Sequence, residues 1–268
     1  MIRWVIQNNL SSENGDYNKM VLACNELGLE SEGIQVIPFS PDIPSHTIDD
    51  KINIYYGATT LMYNLYHQYN KPKGLFFDEE KFSMENYLNI WGEHMINHGS
   101  KVTTFKEISQ ENISDDELFF IRPDADDKSF AGEVMSFGRI KTFLSGITKA
   151  DNVILNEDTK IVIGTPYNIT KEWRNYVVNG KVVTSSMYRK NFKLHKDGKD
   201  IPLDMIRFVE DRCKEYMPDA CFAMDIALCG GDYYIIECGC INSVGLYHAD
   251  IKKLIESISN HIIQQHER

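Results

Sequence analysis

Positive charge, long apolar runs and closely spaced cysteine pairs are all scarce in this 268-residue sequence. Lys and Arg total 28 against 39 Asp and Glu, a formal charge of −11, so the net field repels phosphate backbones and anionic lipid. Nucleic acid and membrane are thereby excluded as expected partners, and any anionic ligand must be met by a local cluster of cations. Apolar runs such as residues 118–121 and 161–163 fall far short of the roughly 20 residues that cross a bilayer. Cys24, Cys213, Cys221, Cys229, Cys238 and Cys240 include no C-x-x-C pair, and Cys238-Gly239-Cys240 is too tight for a zinc knuckle. They read as reduced core thiols of a cytoplasmic protein. The histidines form no H-E-x-x-H, and Ser185-Ser186 lacks the G-x-S-x-G elbow, so that zinc hydrolase motif and that serine nucleophile are absent. What remains is an ordinary globular composition, 43% hydrophobic and 25% charged, long enough for one large or two small domains.

The N-terminal stretch Met1-Ile2-Arg3-Trp4-Val5-Ile6-Gln7 turns polar before a signal-peptide apolar region develops, and reads as a buried strand. Residues 16–29 show helical spacing ended by Gly28, residues 33–39 and 52–56 read as strands, and a helix opens after Gly57. A further helix is expected over 82–98 and a short strand over 101–105. This alternation points to a small α/β domain with a parallel sheet. Residues 109–117 are polar and acidic enough for a linker, which places a domain boundary near residue 110. Beyond it, Val177-Val178-Asn179-Gly180-Lys181-Val182 signals a hairpin with a type I′ turn, and a second hairpin surrounds Gly230-Gly231. Residues 204–217 and 249–265 are helical by period.

The chemistry concentrates in three places. In Phe222-Ala223-Met224-Asp225-Ile226-Ala227-Leu228 a lone carboxylate lies between alanines, and such a group needs a partner if buried. A three-residue loop, Gly230-Gly231-Asp232, places Asp225 opposite Glu237 on one face, whereas a two-residue loop places them on opposite faces. Two such carboxylates require a proton or a cation between them, and magnesium with a phosphate-bearing ligand is one answer, with Asn242 as a third oxygen. A solvated acidic pair is the other answer. The segment Arg122-Pro123 to Gly132, with Lys128, has the make-up of a lid bringing cations to phosphates, or of a salt-bridged loop. In the first hairpin, a two-residue turn pairs Arg174 with Ser185 and Glu172 with Met187, so that Glu172, Arg174 and Arg189 share a face as an anion clamp or a salt-bridge row.

Taken in order, R-P-x-x-x-x-K-x-F-x-G (Arg122 to Gly132), E-W-R (Glu172 to Arg174) in a G-K-V-V hairpin, then Asp225, a Gly turn, Glu237 and Asn242 resemble the ATP-grasp superfamily, closest to its R-two-K clade of phages and bacteria. The resemblance covers residues 118–248. It implies an α+β ATP-grasp fold, two subdomains gripping ATP, over 111–268, preceded by an α/β parallel-sheet domain over 1–110. It further implies that Asp225, Glu237 and Asn242 hold Mg2+ on ATP, that Arg122 and Lys128 contact the phosphates, and that Glu172 accepts from the ribose. The hinge from Thr165 through Tyr167 would read adenine, and Arg174 or Arg189 would stabilise the transferred phosphoryl group. Three features depart from the common pattern. Arg122 replaces Lys, Asn242 follows Glu237 by five residues rather than two, and the loop 124–132 holds one glycine.

The activity so implied is an ATP-dependent carboxylate-amine ligase working through an acyl phosphate, on small-molecule or peptide carboxylates and amines, in the cytoplasm or, if phage-encoded, the host cytoplasm. A kinase of the same fold or a non-catalytic nucleotide binder are the alternatives, and the oligomeric state is open, a homodimer included. His195-Lys196-Asp197-Gly198 is similar to the K-x-D-G lysine motif of polynucleotide ligases but lacks the intervening residue, and reads as a turn.

Overall fold

A computed structural model describes residues 1–10, 15–38, 40–127, 129–147 and 155–266. Contacts group the chain into two compact units, residues 1–81 with 169–268 and residues 82–168, a division that cuts across the one drawn at residue 110.

The first unit opens with β1 (Ile2–Gln7), α1 (Gly15–Glu26), β2 (Glu30–Ile34), β3 (Ile52–Tyr56) and α2 (Thr59–Gln68). Every residue of β1 is buried, and it lies between β2 and β3 in a parallel sheet of order β2-β1-β3. Buried Arg3 is matched there by Glu30 at 2.6 Å and Asp49 at 2.7 Å. The α1 helix stops where Gly28 takes φ +66 and Leu29 N–H bonds back to the Cys24 carbonyl, a left-handed C-terminal cap. β2 begins earlier than expected and ends at Ile34, because its ladder with β1 starts at Glu30; Phe39, the expected last residue, lies outside the described residues.

The second unit holds α3 (Met84–Trp91), β4 (Lys101–Thr104), α4 (Phe105–Ser109), β5 (Leu118–Pro123), β6 (Glu133–Ser136), α5 (Phe137–Ile147) and β7 (Lys160–Gly164). Its antiparallel sheet has the order β4-β7-β5-β6 over a core of Phe105, Ile121, Phe137, Ile140, Ile161 and Ile163. The helix expected over 82–98 is shorter because Gly92 turns to φ +47, and a 3-10 turn (Gly92–His94) follows. α4 is closed by a capping box in which Thr104 and Glu107 satisfy each other's backbone N–H groups.

The chain returns to the first unit with β8 (Lys171–Val178), β9 (Lys181–Lys190), β10 (Lys193–Asp197), α6 (Leu203–Glu215), β11 (Cys221–Cys229), β12 (Asp232–Cys240) and α7 (Ile251–His266). The antiparallel order is β10-β9-β8-β11-β12. Asn179 at φ +51 and Gly180 at φ +74 make the expected turn between β8 and β9. One core joins Trp4, Ile6 and Ile54 of the parallel sheet, Tyr176 and Ala223 of the antiparallel one, and Leu254 and Ile258 of α7. None of the six cysteines is in a disulfide and five are buried, and no helix among the described residues is long and apolar enough to cross a membrane.

His261 of α7 is 6% exposed, packs on Phe76 at 5.9 Å between ring centroids, and is held below its ordinary pKa of 6.5 by burial, with Asp219 opposing. The folded state therefore favours the neutral ring, so this stabilisation is present above about pH 6.5 and is lost as pH falls through the lowered folded value. Thermal melts between about pH 7 and pH 5 should show the wild type losing stability on acidification more steeply than His261→Phe.

Candidate active site

The site is built on the two hairpins of the first unit, and both reach their geometry through β-bulges. The loop between β11 and β12 has two residues, Gly230 (φ +63) and Gly231 (φ +99), with Cys229 opposite Asp232 rather than Tyr233. That corrects the expected three-residue loop and by itself sends the carboxylates to opposite faces. The ladder then slips by one, since Ile226 pairs with Ile235 and Asp225 with Glu237, leaving Ile236 as the extra residue. The two carboxylates stand opposite one another after all, by a different route. In the β8–β9 hairpin the ladder shifts at Val183 and again at Tyr188, so Arg174 faces Ser186 and Glu172 faces Arg189, in place of the expected Ser185 and Met187.

The result is a row across four strands, Ser186, Arg174, Asp225 and Glu237. Arg174 donates through Nε and Nη2 to the two oxygens of Asp225 at 2.8 and 2.7 Å, with the carboxylate side chain 3% exposed. Burial holds the Asp225 carboxyl above its ordinary pKa while Arg174 pulls it down and Glu237 adds to the rise. Burial likewise works against the charge on Arg174, and Asp225 overcomes it, so the guanidinium stays well above its ordinary value. Beside this row, buried Glu172 accepts from the Tyr188 hydroxyl at 2.8 Å and from Arg189 at 3.1 Å. Arg189 itself remains half exposed.

Two tyrosines that sequence reasoning missed complete the face. Tyr188 and Tyr247 stack at 5.2 Å and 11°, and the Arg174 guanidinium lies 5.6 and 5.3 Å from their ring centres. Burial raises both phenols. Strict alternation sets Tyr188 on the face away from Arg189, and only the bulge brings them together. Tyr247 carries no sequence signal, and its backbone at φ +50 is a conformation that bulky residues rarely adopt.

The Asn242 amide, expected as a third metal oxygen, is turned to backbone groups and a thiol. Its Nδ2 donates to the carbonyls of Tyr55 (2.6 Å) and Gly74 (2.9 Å), and its Oδ1 accepts from Phe76 N–H (2.8 Å) and the Cys240 thiol (3.6 Å). All four positions of the amide are occupied. No cluster of three or more metal-binding His, Cys, Asp or Glu forms among the described residues. Magnesium, however, is commonly held by one or two carboxylates with waters and phosphate oxygens, and the facing pair Asp225 and Glu237 fits that manner of binding. Arg174 takes one lone pair of each Asp225 oxygen, and the Tyr188 hydroxyl also acts on this carboxylate as a hydrogen-bond donor.

The remaining expected residues belong to the second unit. Arg122 lies on β5 opposite Val162, half-buried, and its Nε donates weakly to the Pro123 carbonyl. Asp124 after it is buried and caps α3, its carboxylate accepting from Glu85 N–H at 2.7 Å. Burial raises this carboxyl against that hydrogen bond. Lys128 lies outside the described residues. Thr165 is exposed just after β7, and Tyr167 rests near the His98 ring at 6.4 Å.

With this geometry in hand, comparison places the chain. Residues 100–257 match the family described as ATP-grasp domain, R-two-K clade family 2, more than half of the sequence, and the chain belongs to that family. No protein with a curated description matches it. Among solved structures it is similar to a D-alanine–D-alanine ligase from Bacillus anthracis complexed with ATP, at 14% identity and a TM-score of 0.59, covering 100% of this chain and 99% of that one. It is also similar to the D-cycloserine synthetase DcsG (10% identity, TM-score 0.63, 98% and 100% covered). A third is the ATP-grasp ligase PsnB complexed with minimal precursor (11%, 0.55, 98% and 99%). At these identities the likeness establishes the ATP-grasp fold, here with a small parallel sheet at the N-terminus.

Two substitutions separate the roles of these side chains. Arg174→Met leaves Asp225 buried without its cation and should lower stability by about 3–5 kcal/mol in urea unfolding, most of it recovered in Arg174→Met/Asp225→Leu. Asn242→Ala strands the Phe76 N–H and two carbonyls and should cost about 3 kcal/mol in the same assay.

Proposed function

We propose that the protein is an ATP-dependent carboxylate-amine ligase acting on a small-molecule or peptide carboxylate and amine. The observation that carries this reading is the row Arg174, Asp225 and Glu237 beside Glu172 and Arg189, in a chain of the ATP-grasp family. Asp225 and Glu237 would hold Mg2+, which supplies charge neutralisation on the phosphates when bound. Glu172, oriented by Tyr188 and Arg189, accepts from the ribose hydroxyls, and Arg122 with Lys128 contacts the phosphates. The backbone from Thr165 through Tyr167 reads the adenine edge. Arg174, locked on Asp225 and only 13% exposed, opposes the rise that burial imposes on that carboxyl and aims it. Arg189 has the exposure to reach a transferred phosphoryl group and stabilise its charge. In this reading the ATP-grasp portion begins near residue 110, and the residues before it help select the substrate.

The reaction class is phosphoryl transfer to a carboxylate oxygen followed by displacement of phosphate by an amine, with ADP and phosphate as co-products. Magnesium-dependent ATP turnover, measured with a mixed amino-acid pool and with nucleotide and phosphate resolved, tests it. Wild type should release ADP and phosphate, more so with the pool. Glu237→Gln should lose about two orders of magnitude in turnover with its melting temperature unchanged. Phosphate retained on an acceptor would point to a kinase, and neither turnover nor ATP-induced thermal stabilisation would remove the nucleotide reading altogether.

A further inference from the structure

Beyond Arg189, the β9–β10 hairpin carries charge and apolar surface that the proposed nucleotide site does not use. Residues 190–199 hold Lys190, Lys193, Lys196 and Lys199 against Asp197 alone, on a chain whose formal charge is −11. Lys190 stands directly opposite Lys193 on one side and Lys171 on the other, so three like charges form a row across β10, β9 and β8. Like charges placed directly opposite destabilise a sheet. Lys171 is neutralised by Asp200 at 2.7 Å, but Lys190, Lys193 and Lys196 form no salt bridge among the described residues. Elsewhere in the unit, Lys51, Lys71, Lys181, Lys214 and Lys252 are salt-bridged, while Lys73 and Lys253 form no salt bridge among the described residues.

The hairpin tip adds two apolar side chains. Phe192 is 64% exposed and sits at φ +64 beside Asn191 at φ +47, and Leu194 is 68% exposed. An aromatic residue in left-handed backbone, with its ring in water, gains nothing for the fold. β10 is also an edge strand, so one side of its backbone pairs with no strand among the described residues. Lysines are a common means of keeping such an edge from pairing, but that role leaves the exposed Phe192 and Leu194 without a purpose.

We propose that this edge is a docking surface for an acidic, extended peptide segment, which adds as a strand to β10. Its carboxylates neutralise the row of Lys190 and Lys193, and its alternate apolar side chains cover Phe192 and Leu194. Lys196 lies 5.9 Å over the Tyr247 ring, whose centre is 5.3 Å from the Arg174 guanidinium. The proposal stands without reference to the nucleotide.

A fluorescein-labelled peptide alternating Glu with Leu, and its Lys-for-Glu counterpart, test it by anisotropy on the full chain without ATP. The acidic peptide should bind, more weakly as salt rises, and the basic one should not. Lys190→Glu/Lys193→Glu should weaken binding roughly tenfold or more while melting at the wild-type temperature, and Phe192→Ser should weaken it several-fold. Amides of residues 193–197 should gain hydrogen-exchange protection in the complex. ATP-induced thermal stabilisation, which reports on the nucleotide reading, should be the same in wild type and the charge-reversed variant, so the two readings fail separately. Absence of acidic-peptide binding, binding indifferent to charge reversal, tighter binding of a thymidine oligonucleotide, or dimerisation through this edge in sedimentation would each overturn the proposal.

Discussion

The paired hydrogen bonds from Arg174 to Asp225 are the constraint around which the antiparallel sheet is arranged. β8 and β11 are inner strands, and the first seven residues of β11 are buried. A carboxylate in such a strand is untenable alone, and a guanidinium on the neighbouring strand, at the directly opposite position, meets both of its oxygens with a matching fork. That cation needs company too, since it is itself largely removed from water. The stacked rings of Tyr188 and Tyr247 supply a polarisable wall, and the segment that carries Tyr247 is held from several sides. The hydroxyls of Tyr56 and Tyr176 donate to the carbonyls of Val244 and Gly245, while His248 and Asp250 N–H bond to Ser186 and Thr184. An unfavourable backbone at Tyr247 persists because so many neighbours determine it.

A second set of contacts ties distant parts of the chain together. Asn242 follows β12, yet its amide is matched to Tyr55, Gly74 and Phe76, and its own carbonyl accepts from Gly57 N–H. The end of the antiparallel sheet is thereby joined to the parallel sheet and the strand-like stretch beside it. Texture along the sequence changes near residue 110, but packing follows such long-range bonds. That is why residues 1–81 cluster with 169–268.

Much of the frame was legible. β1, β3 and the turn at Asn179-Gly180 follow from β-branched and aromatic runs and from turn chemistry, which are local properties. Two elements escaped for different reasons. α5 buries Phe137, Ile140 and Ile147 at helical spacing, but Gly138 and Gly146 lower its helix propensity, whereas β10 is exposed along nearly its whole length and shows no period. In the site, the residue types at 172, 174, 225 and 237 announced charged chemistry, while their mutual placement rested on bulges that no composition signals. Asn242 shows the limit in the other direction, since an amide near two carboxylates in sequence is equally suited to binding backbone, and burial decided the matter.

The bulge at Ile236 has a consequence for how this chain tolerates change in length. A two-residue loop and one extra residue in β12 together give the same alignment of Asp225 and Glu237 as a three-residue loop and an unbroken ladder. Insertions and deletions in this hairpin are therefore silent only in compensating pairs. A residue gained at Gly230-Gly231 is harmless when one is lost at Ile236, and either change alone turns a carboxylate away from its partner. Relatives with hairpins of different loop length can thus share one arrangement of charges, and an alignment that counts residues from the turn will misplace it.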